Sequence, residues 1–299
     1  MTLFITGSEG FIGRALTKRC DEQDIDYIPY DLALGGDICD PSIADIIPKG
    51  ATIVHLAALS TNKACAENET LAIRVNVGGT ENLLRAANKC NVKQFIFASS
   101  EWVYDGLDGP CHEDRSLAIP AMASVYAQTK ALAEQKVMAF SNSTVLRFGI
   151  VYGPRAEPGS AVESIFVSVR DKNTVRVGHM KTARRFIHVE DVVSGILHAV
   201  GVNGVFNLTG DELASLRDVS LAACEVLWGA SGVIGTEQDL TQSLSIRDAP
   251  NDKAKRELGW KPEYDLARGL RTLMEREPGA IYVGDPIVEV FESFGIKGP

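Results

Sequence analysis

"TLFITGSEGFIG", residues 2–13, decides the fold. Its first five residues are a short apolar, β-branched run of the kind that forms a buried strand. Gly7, Gly10 and Gly13 follow directly, and "FIGRAL" opens a segment whose apolar residues recur at helical spacing. Glycines between a strand and a helix allow a tight turn, while the helix N-terminus behind them offers amide hydrogens to a pyrophosphate. Strand, glycine turn and helix in this order predict a dinucleotide site formed by Gly7, Gly10, Phe11, Ile12 and Gly13. The alternative is an ordinary tight connection with no ligand.

Four further stretches read as strands: "DYIPY" (26–30), "ATIVHLA" (51–57), "QFIFAS" (94–99) and "STVLRFG" (143–149). Helical patterns lie between them, in "RALTKRC" (14–20), "VGGTENLLRAANKC" (77–90) and "YAQTKALAEQKVMAF" (126–140). This alternation predicts an α/β protein with a Rossmann-type, doubly wound parallel sheet. Beyond residue 153 the pattern is less regular. The turn-rich "GPRAEPGSA" (153–161) precedes helices at about 160–170, 190–200 and 215–228, then at "NDKAKRELGW" (251–260) and "DLARGLRTLMERE" (265–277). These predict a smaller, mostly C-terminal α/β domain. Residues 1–153 and 187–210 then form the dinucleotide-binding domain, and 154–186 with 211–299 the smaller one. The stretch 280–299 has no readable role.

The second strand ends at Asp31, eighteen positions beyond Gly13. A carboxylate there can accept hydrogen bonds from both adenosine ribose hydroxyls and repels a 2′-phosphate, so NAD is expected rather than NADP. Asp37 and Ile38 fall where the next connection would line the adenine, although Asp37 suits a turn or a helix cap equally well.

Composition narrows the partners. With 299 residues, 45% of them hydrophobic, the chain can bury a large core in one or two domains. Its net charge of −9 and lack of a Lys/Arg run argue against nucleic acid. The first residues show no leader pattern, and no apolar stretch approaches the roughly 18 residues of a membrane span, so a cytoplasmic protein without a membrane partner is expected. Six scattered cysteines (20, 39, 65, 90, 111 and 224) read as buried thiols, and no metal site is expected.

"ASVYAQTK" (123–130) places Tyr126 and Lys130 one above the other on a helix. Oxidising an alcohol removes hydride from carbon and a proton from oxygen, so a phenolate beside the hydroxyl is a suitable base. A neighbouring ammonium is expected to lower the phenol's pKa from its ordinary value near ~10.

Taken together, "TGSEGFIG" (6–13), "HLAA" (55–58), "ASSEWVY" (98–104), "YAQTK" (126–130), "LRFGIVYGPR" (146–155), "RRFIHVEDV" (184–192) and "KAKRELGWKP" (253–262) resemble the extended short-chain dehydrogenase/reductase family, in particular its sugar-nucleotide epimerase and dehydratase branch. The resemblance covers most of residues 2–275. It implies an NAD-dependent enzyme in which Ser100 holds the reacting oxygen, Tyr126 transfers the proton, and Lys130 contacts Tyr126 and the nicotinamide ribose. Leu56, Ala57 and Ala58 would line the cofactor. A homodimer through helices beside the active site, including the one carrying Tyr126, is also implied.

For the substrate, the resemblance implies a nucleotide sugar. Arg184 would meet its diphosphate, since a guanidinium can make paired bonds to phosphate oxygens; Arg247 is a second phosphate candidate. Either arginine could instead tie the smaller domain to acidic loops, and Arg185 stands where an acid is more usual. Ser60 would touch the sugar or cap a loop. Trp102 either stacks on the sugar or packs. Glu101 and Trp102 occupy positions that hold Asp and Glu in dehydratase-like relatives. Trp102 cannot act as a base, so a C4 epimerase working through a 4-keto intermediate is expected ahead of a dehydratase, a decarboxylase, a sugar or keto-sugar oxidoreductase, or an inactive scaffold. Ile150, where Asn is common, and the extra residues around "AIPAMAS" (118–124) imply an altered substrate passage.

Overall fold

Six parallel strands make the central sheet: β1 Leu3–Thr6, β2 Tyr27–Tyr30, β3 Thr52–His55, β4 Gln94–Ser100, β5 Ser143–Phe148 and, later in the chain, Gly204–Leu208. The computed structural model describes residues 1–172, 174–229, 235–238 and 244–274, with the side chains of 235–238 left aside. Helices α1 Phe11–Glu22, α2 Asn62–Glu67, α3 Glu69–Ala72, α4 Thr80–Lys89 and α5 Val125–Met138 connect the first five strands. Wider, π-type turns over Ile73–Gly79 join α3 to α4.

Both sheet faces are covered, which is why the strands read as unbroken apolar runs. Leu3, Ile5, Val54, Ile96 and Leu146 pack on Leu16, Val192, Ile196 and Trp260. Phe4, Ile53, Phe95, Phe97 and Val145 pack on Leu83, Ala87, Ala133 and Val137.

The second half adds β6 Ile150–Tyr152, α6 Ala161–Lys172, β7 Thr174–Val177, β8 Ala183–Arg184, β9 Phe186–His188 and α7 Val189–His198. The sixth sheet strand is then β10 (Gly204–Leu208), followed by β11 Ala214–Ser215, α8 Leu216–Trp228, β12 Gly235–Gln238, α9 Asp252–Leu258 and α10 Leu266–Thr272. Three small sheets pair β6 with β9, β7 with β12 and β8 with β11. A separate core of Tyr152, Val162, Ile165, Phe166, Val219, Ala223 and Leu270 holds this smaller part together.

The strand order β10-β5-β4-β3-β1-β2 places the switch point at β1, between β3 and β2. Ligands in such sheets bind beyond the carboxyl ends of the strands at that point. β10 was absent from the sequence-based expectation, because "GVFNL" is short and carries Gly204 and a polar Asn207. Asn207 is fully buried and satisfied by Cys111 O and Pro250 O, each at 3.0 Å. Residues 275–277 of the last expected helix and the stretch 280–299 lie outside the described residues. All six cysteines carry free thiols, five of them buried.

Candidate active site

The glycine turn is as close as backbone permits. Gly7 has φ +73, and a Cβ on it would sit 2.6 Å from Ala57 N; a Cβ on Gly13 would sit 2.0 Å from Gly7 O. α1 therefore starts against the end of β1, and its N-terminal Gly10 supplies no side-chain cap to the first amides. Ser8 adds a buried hydroxyl with no hydrogen-bond partner among the described residues. Asp31, at the end of β2, accepts from Glu9 N (3.1 Å) and Ala33 N (2.9 Å), which holds its carboxylate at the rim of the turn. Leu56, Ala57 and Ala58, half-buried after β3, form the opposite wall. Uncapped amides, an orphaned hydroxyl and a carboxylate at a glycine-tight turn fit the pyrophosphate and ribose of NAD.

Two expected cofactor residues, Asp37 and Ile38, also make contacts within the fold. Asp37 Oδ1 accepts from Cys39 N at 2.8 Å in a turn, and the Ile38 side chain is buried in the core below Gly79. Ser60 is exposed; the neighbouring Thr61 caps α2, accepting from Ala64 N at 3.1 Å.

Ser124 opens α5 by accepting from Ala127 N at 3.2 Å, and the first turn brings Tyr126 to Ser100 at the end of β4. The Ser100 side chain is near enough to act on the phenol's ionisation. Lys130 sits one turn further along, donating to Ala98 O at 2.8 Å and lying 4.9 Å from the Phe97 ring centre. The expectation of a lowered phenol is not met in this arrangement. Burial pushes Tyr126 up to about 12, with the Ser100 side chain opposing and Cys65 adding. Burial also brings Lys130 down to about 8, opposed by Cys65 and Glu134. The ammonium is directed to the strand carbonyl, so its field does not offset the desolvation of the phenol.

Two supporting residues, Asn76 and Glu134, escaped the sequence reading. Asn76, buried within the π-type turns, accepts from Leu59 N (2.8 Å) and donates to Leu59 O and Thr129 Oγ1 (both 3.0 Å), tying the β3 exit to α5. Glu134 accepts from Ser99 Oγ at 2.5 Å and from Arg147 Nη2 at 2.7 Å. The available signal was spacing, since Glu134 stands four residues after Lys130 on an otherwise apolar helix face. His55 bridges Thr6 Oγ1 (2.8 Å) and Thr80 Oγ1 (3.0 Å), and burial, aided by Lys130, takes it down to about 3.

On the substrate side the structure gathers Glu101, Trp102, Arg184 and Arg247 into one buried cluster. Glu101 Oε1 lies 3.2 Å from Arg184 Nε and 3.4 Å from Arg247 Nη1. Arg184 also donates to Ala183 O, Ser245 O and Ser245 Oγ at 2.7–2.9 Å. Arg247 reaches Asp105 at 3.2 Å and stacks 4.4 Å from the Trp102 ring centre. Burial, then Arg247, lowers Arg184 to about 9 while Glu101 opposes. Instead of standing open for a diphosphate, both arginines are compensated by protein carboxylates. Arg185 is bound to Asp248 at 2.6 Å.

Residues 3–208 match the NAD dependent epimerase/dehydratase family. The chain belongs to this family. As a member it is an NAD-dependent enzyme. The chain is 30% identical to a dTDP-glucose 4,6-dehydratase of Streptomyces griseus, covering 79% of itself and 74% of that protein. It is 27% identical to a UDP-glucuronate 4-epimerase of Thermodesulfobacterium geofontis, covering 74% and 70%. Among solved structures, MoeE5 in complex with UDP-glucuronic acid and NAD matches with a TM-score of 0.79 at 26% identity, over 92% of this chain and 98% of that one. No described helix is long and apolar enough to cross a membrane.

Proposed function

We propose that this family member is a nucleotide-sugar epimerase acting at C4 through a 4-keto intermediate. The observation that carries the choice is Trp102, buried beneath the Arg247 guanidinium at the position after Glu101. A dehydratase needs further proton-transfer groups to remove the C5 hydrogen and expel water from C6. Here the indole occupies one such position, and Glu101 is held between two arginines. The relatives named above bear on the substrate class, since they act on or bind sugars carried by UDP or dTDP.

When bound, NAD supplies reversible hydride acceptance at the sugar carbon. The chain's own groups handle oxygen and proton. Ser100 holds the C4 oxygen and shares its developing charge. Tyr126 reacts as its phenolate, whose Oη takes the hydroxyl proton and gives it back, and Lys130 orients the nicotinamide ribose. Gly7, Gly10, Phe11, Ile12 and Gly13 receive the pyrophosphate, Asp31 the adenosine ribose, and Arg184 with Arg247 the substrate diphosphate. The mostly C-terminal part forms the substrate domain.

The test uses UDP-glucose, UDP-glucuronate and dTDP-glucose, each deuterated at C4. The expected product is the C4 epimer with deuterium retained on that carbon and no accumulation of NADH. Loss of water from the product would establish the dehydratase instead, and label lost to added cofactor would establish an oxidoreductase. Tyr126→Phe should lower kcat by roughly 10²–10⁴, the range for a positioned proton-transfer group. An unchanged kcat would remove Tyr126 from the reaction.

A further inference from the structure

Glu101 is an unusual carboxylate to find beside Ser100. It is fully buried, and its Oε1 serves Arg184 and Arg247 together while Oε2 has no hydrogen-bond partner among the described residues. The arginines come from outside the central sheet, one from β8 and the other from the 244–251 segment. Backbone bonds hold that segment in place: Ala183 N donates to Ser245 O, Arg247 N to Ala183 O, and Cys111 N to Asp248 O.

Among the described residues the charges around Glu101 cancel. From β8 it faces Arg184, and from the 244–251 segment Arg247; Asp105, just after its own turn, takes the other side of Arg247, while Asp248 is paired with Arg185. A substrate diphosphate delivered to Arg184 and Arg247 meets an ionised carboxylate already seated there, in a setting where water cannot screen the two. Protonating Glu101 removes that conflict and turns the orphaned oxygen into a hydrogen-bond donor for the incoming anion.

Resting on the nucleotide-sugar reading above, we propose that Glu101 is an internal stand-in for the substrate's anionic group, exchanged for it with uptake of one proton from solvent. The carboxylate becomes a neutral carboxyl and leaves the two guanidiniums to the diphosphate; no other bond forms or breaks. Burial pushes the Glu101 carboxyl upward in advance, against the pull of Arg247 and Arg184. The exchange makes substrate affinity depend on pH at the site that chooses the substrate.

Calorimetric titration of the NAD-loaded enzyme with UDP-glucose and dTDP-glucose, in buffers of different ionisation enthalpy, measures the proton directly. Near neutral pH the expected uptake is about one proton per ligand, with the Kd rising about tenfold per pH unit across the titration. This reading needs no variant. Glu101→Gln should abolish the uptake and bind about tenfold more tightly on the alkaline side, while Asp105→Asn should keep the uptake because Glu101 remains. Binding by the unaltered enzyme without proton uptake, or weaker binding by Glu101→Gln, overturns the exchange and leaves the nucleotide-sugar reading standing. Failure of both sugars to bind either form overturns that reading, and the exchange with it.

Discussion

Two carboxylates are fully buried on either side of the β4 exit, and they are treated differently. Glu134, behind Ser99, has both oxygens taken: Ser99 Oγ at 2.5 Å, Arg147 Nε at 3.0 and 3.3 Å, and Arg147 Nη2 at 2.7 Å. Arg147 in turn donates to Tyr104 Oη at 2.8 Å, and Tyr104 to Asn207 Oδ1 at 2.8 Å, so the polar chain continues to β10 without a gap. Glu101, in front of Ser100, has one oxygen shared by two cations and one with no partner. A satisfied buried ion pair fixes the fold, whereas a half-satisfied one keeps an unmet demand that a ligand can meet.

The largest effect should come from the satisfied side. Arg147→Met strands Glu134 in the interior with only the Ser99 hydroxyl, which should cost about 3–5 kcal/mol in urea unfolding. Adding Glu134→Leu should recover most of that loss, because no buried charge is then left alone. A single variant that unfolds like the parent would mean that Glu134 takes up a proton or water at little cost, and the contrast with Glu101 would fail.

His55 extends the satisfied class to a titratable ring. Its folded-state pKa of about 3 lies below the ordinary 6.5, so below pH 6.5 the unfolded chain binds a proton that the folded chain refuses. Stability is therefore lost as pH falls through the window from 6.5 towards 3. Between about pH 7 and 5 the loss from this residue should be about 2 kcal/mol. The difference between the parent and His55→Gln, each unfolded in urea at both pH values, isolates it. Parallel behaviour of the two proteins would show that the ring titrates freely in the fold.

How far the sequence carried the structure follows the same division. β1, its glycine turn and α1 were legible because each is local: apolar run, glycines, helical period. The nearness of Tyr126 and Lys130 was legible because they share a helix face, whereas Ser100 was singled out only through the family resemblance. The β10 strand was not, since Asn207 is made acceptable there by Cys111 and Pro250, partners far away in the chain. Arg184 and Arg247 were picked out as cations suited to phosphate, yet no spacing rule could place both on Glu101, which is more than eighty residues from the nearer one. The direction of the Tyr126 shift was missed for a related reason. Helical spacing put Lys130 beside the phenol, but Ala98 O captures the ammonium.

The smallest effect is expected where the unmet demand lies. Glu101→Gln keeps a carbonyl oxygen for the guanidiniums, Arg247 keeps Asp105, and Arg184 keeps its bonds to Ala183 and Ser245. The oxygen replaced by an amide nitrogen is the one that lacked a partner, so no hydrogen bond is lost and a buried negative charge is removed. Against this stands the weakened compensation of two arginines. The two contributions oppose each other, and the net change in urea unfolding should be about 1 kcal/mol. A loss as large as that of Arg147→Met would show that Glu101 belongs with Glu134 as a structural clamp, and that its orphaned oxygen awaits no ligand.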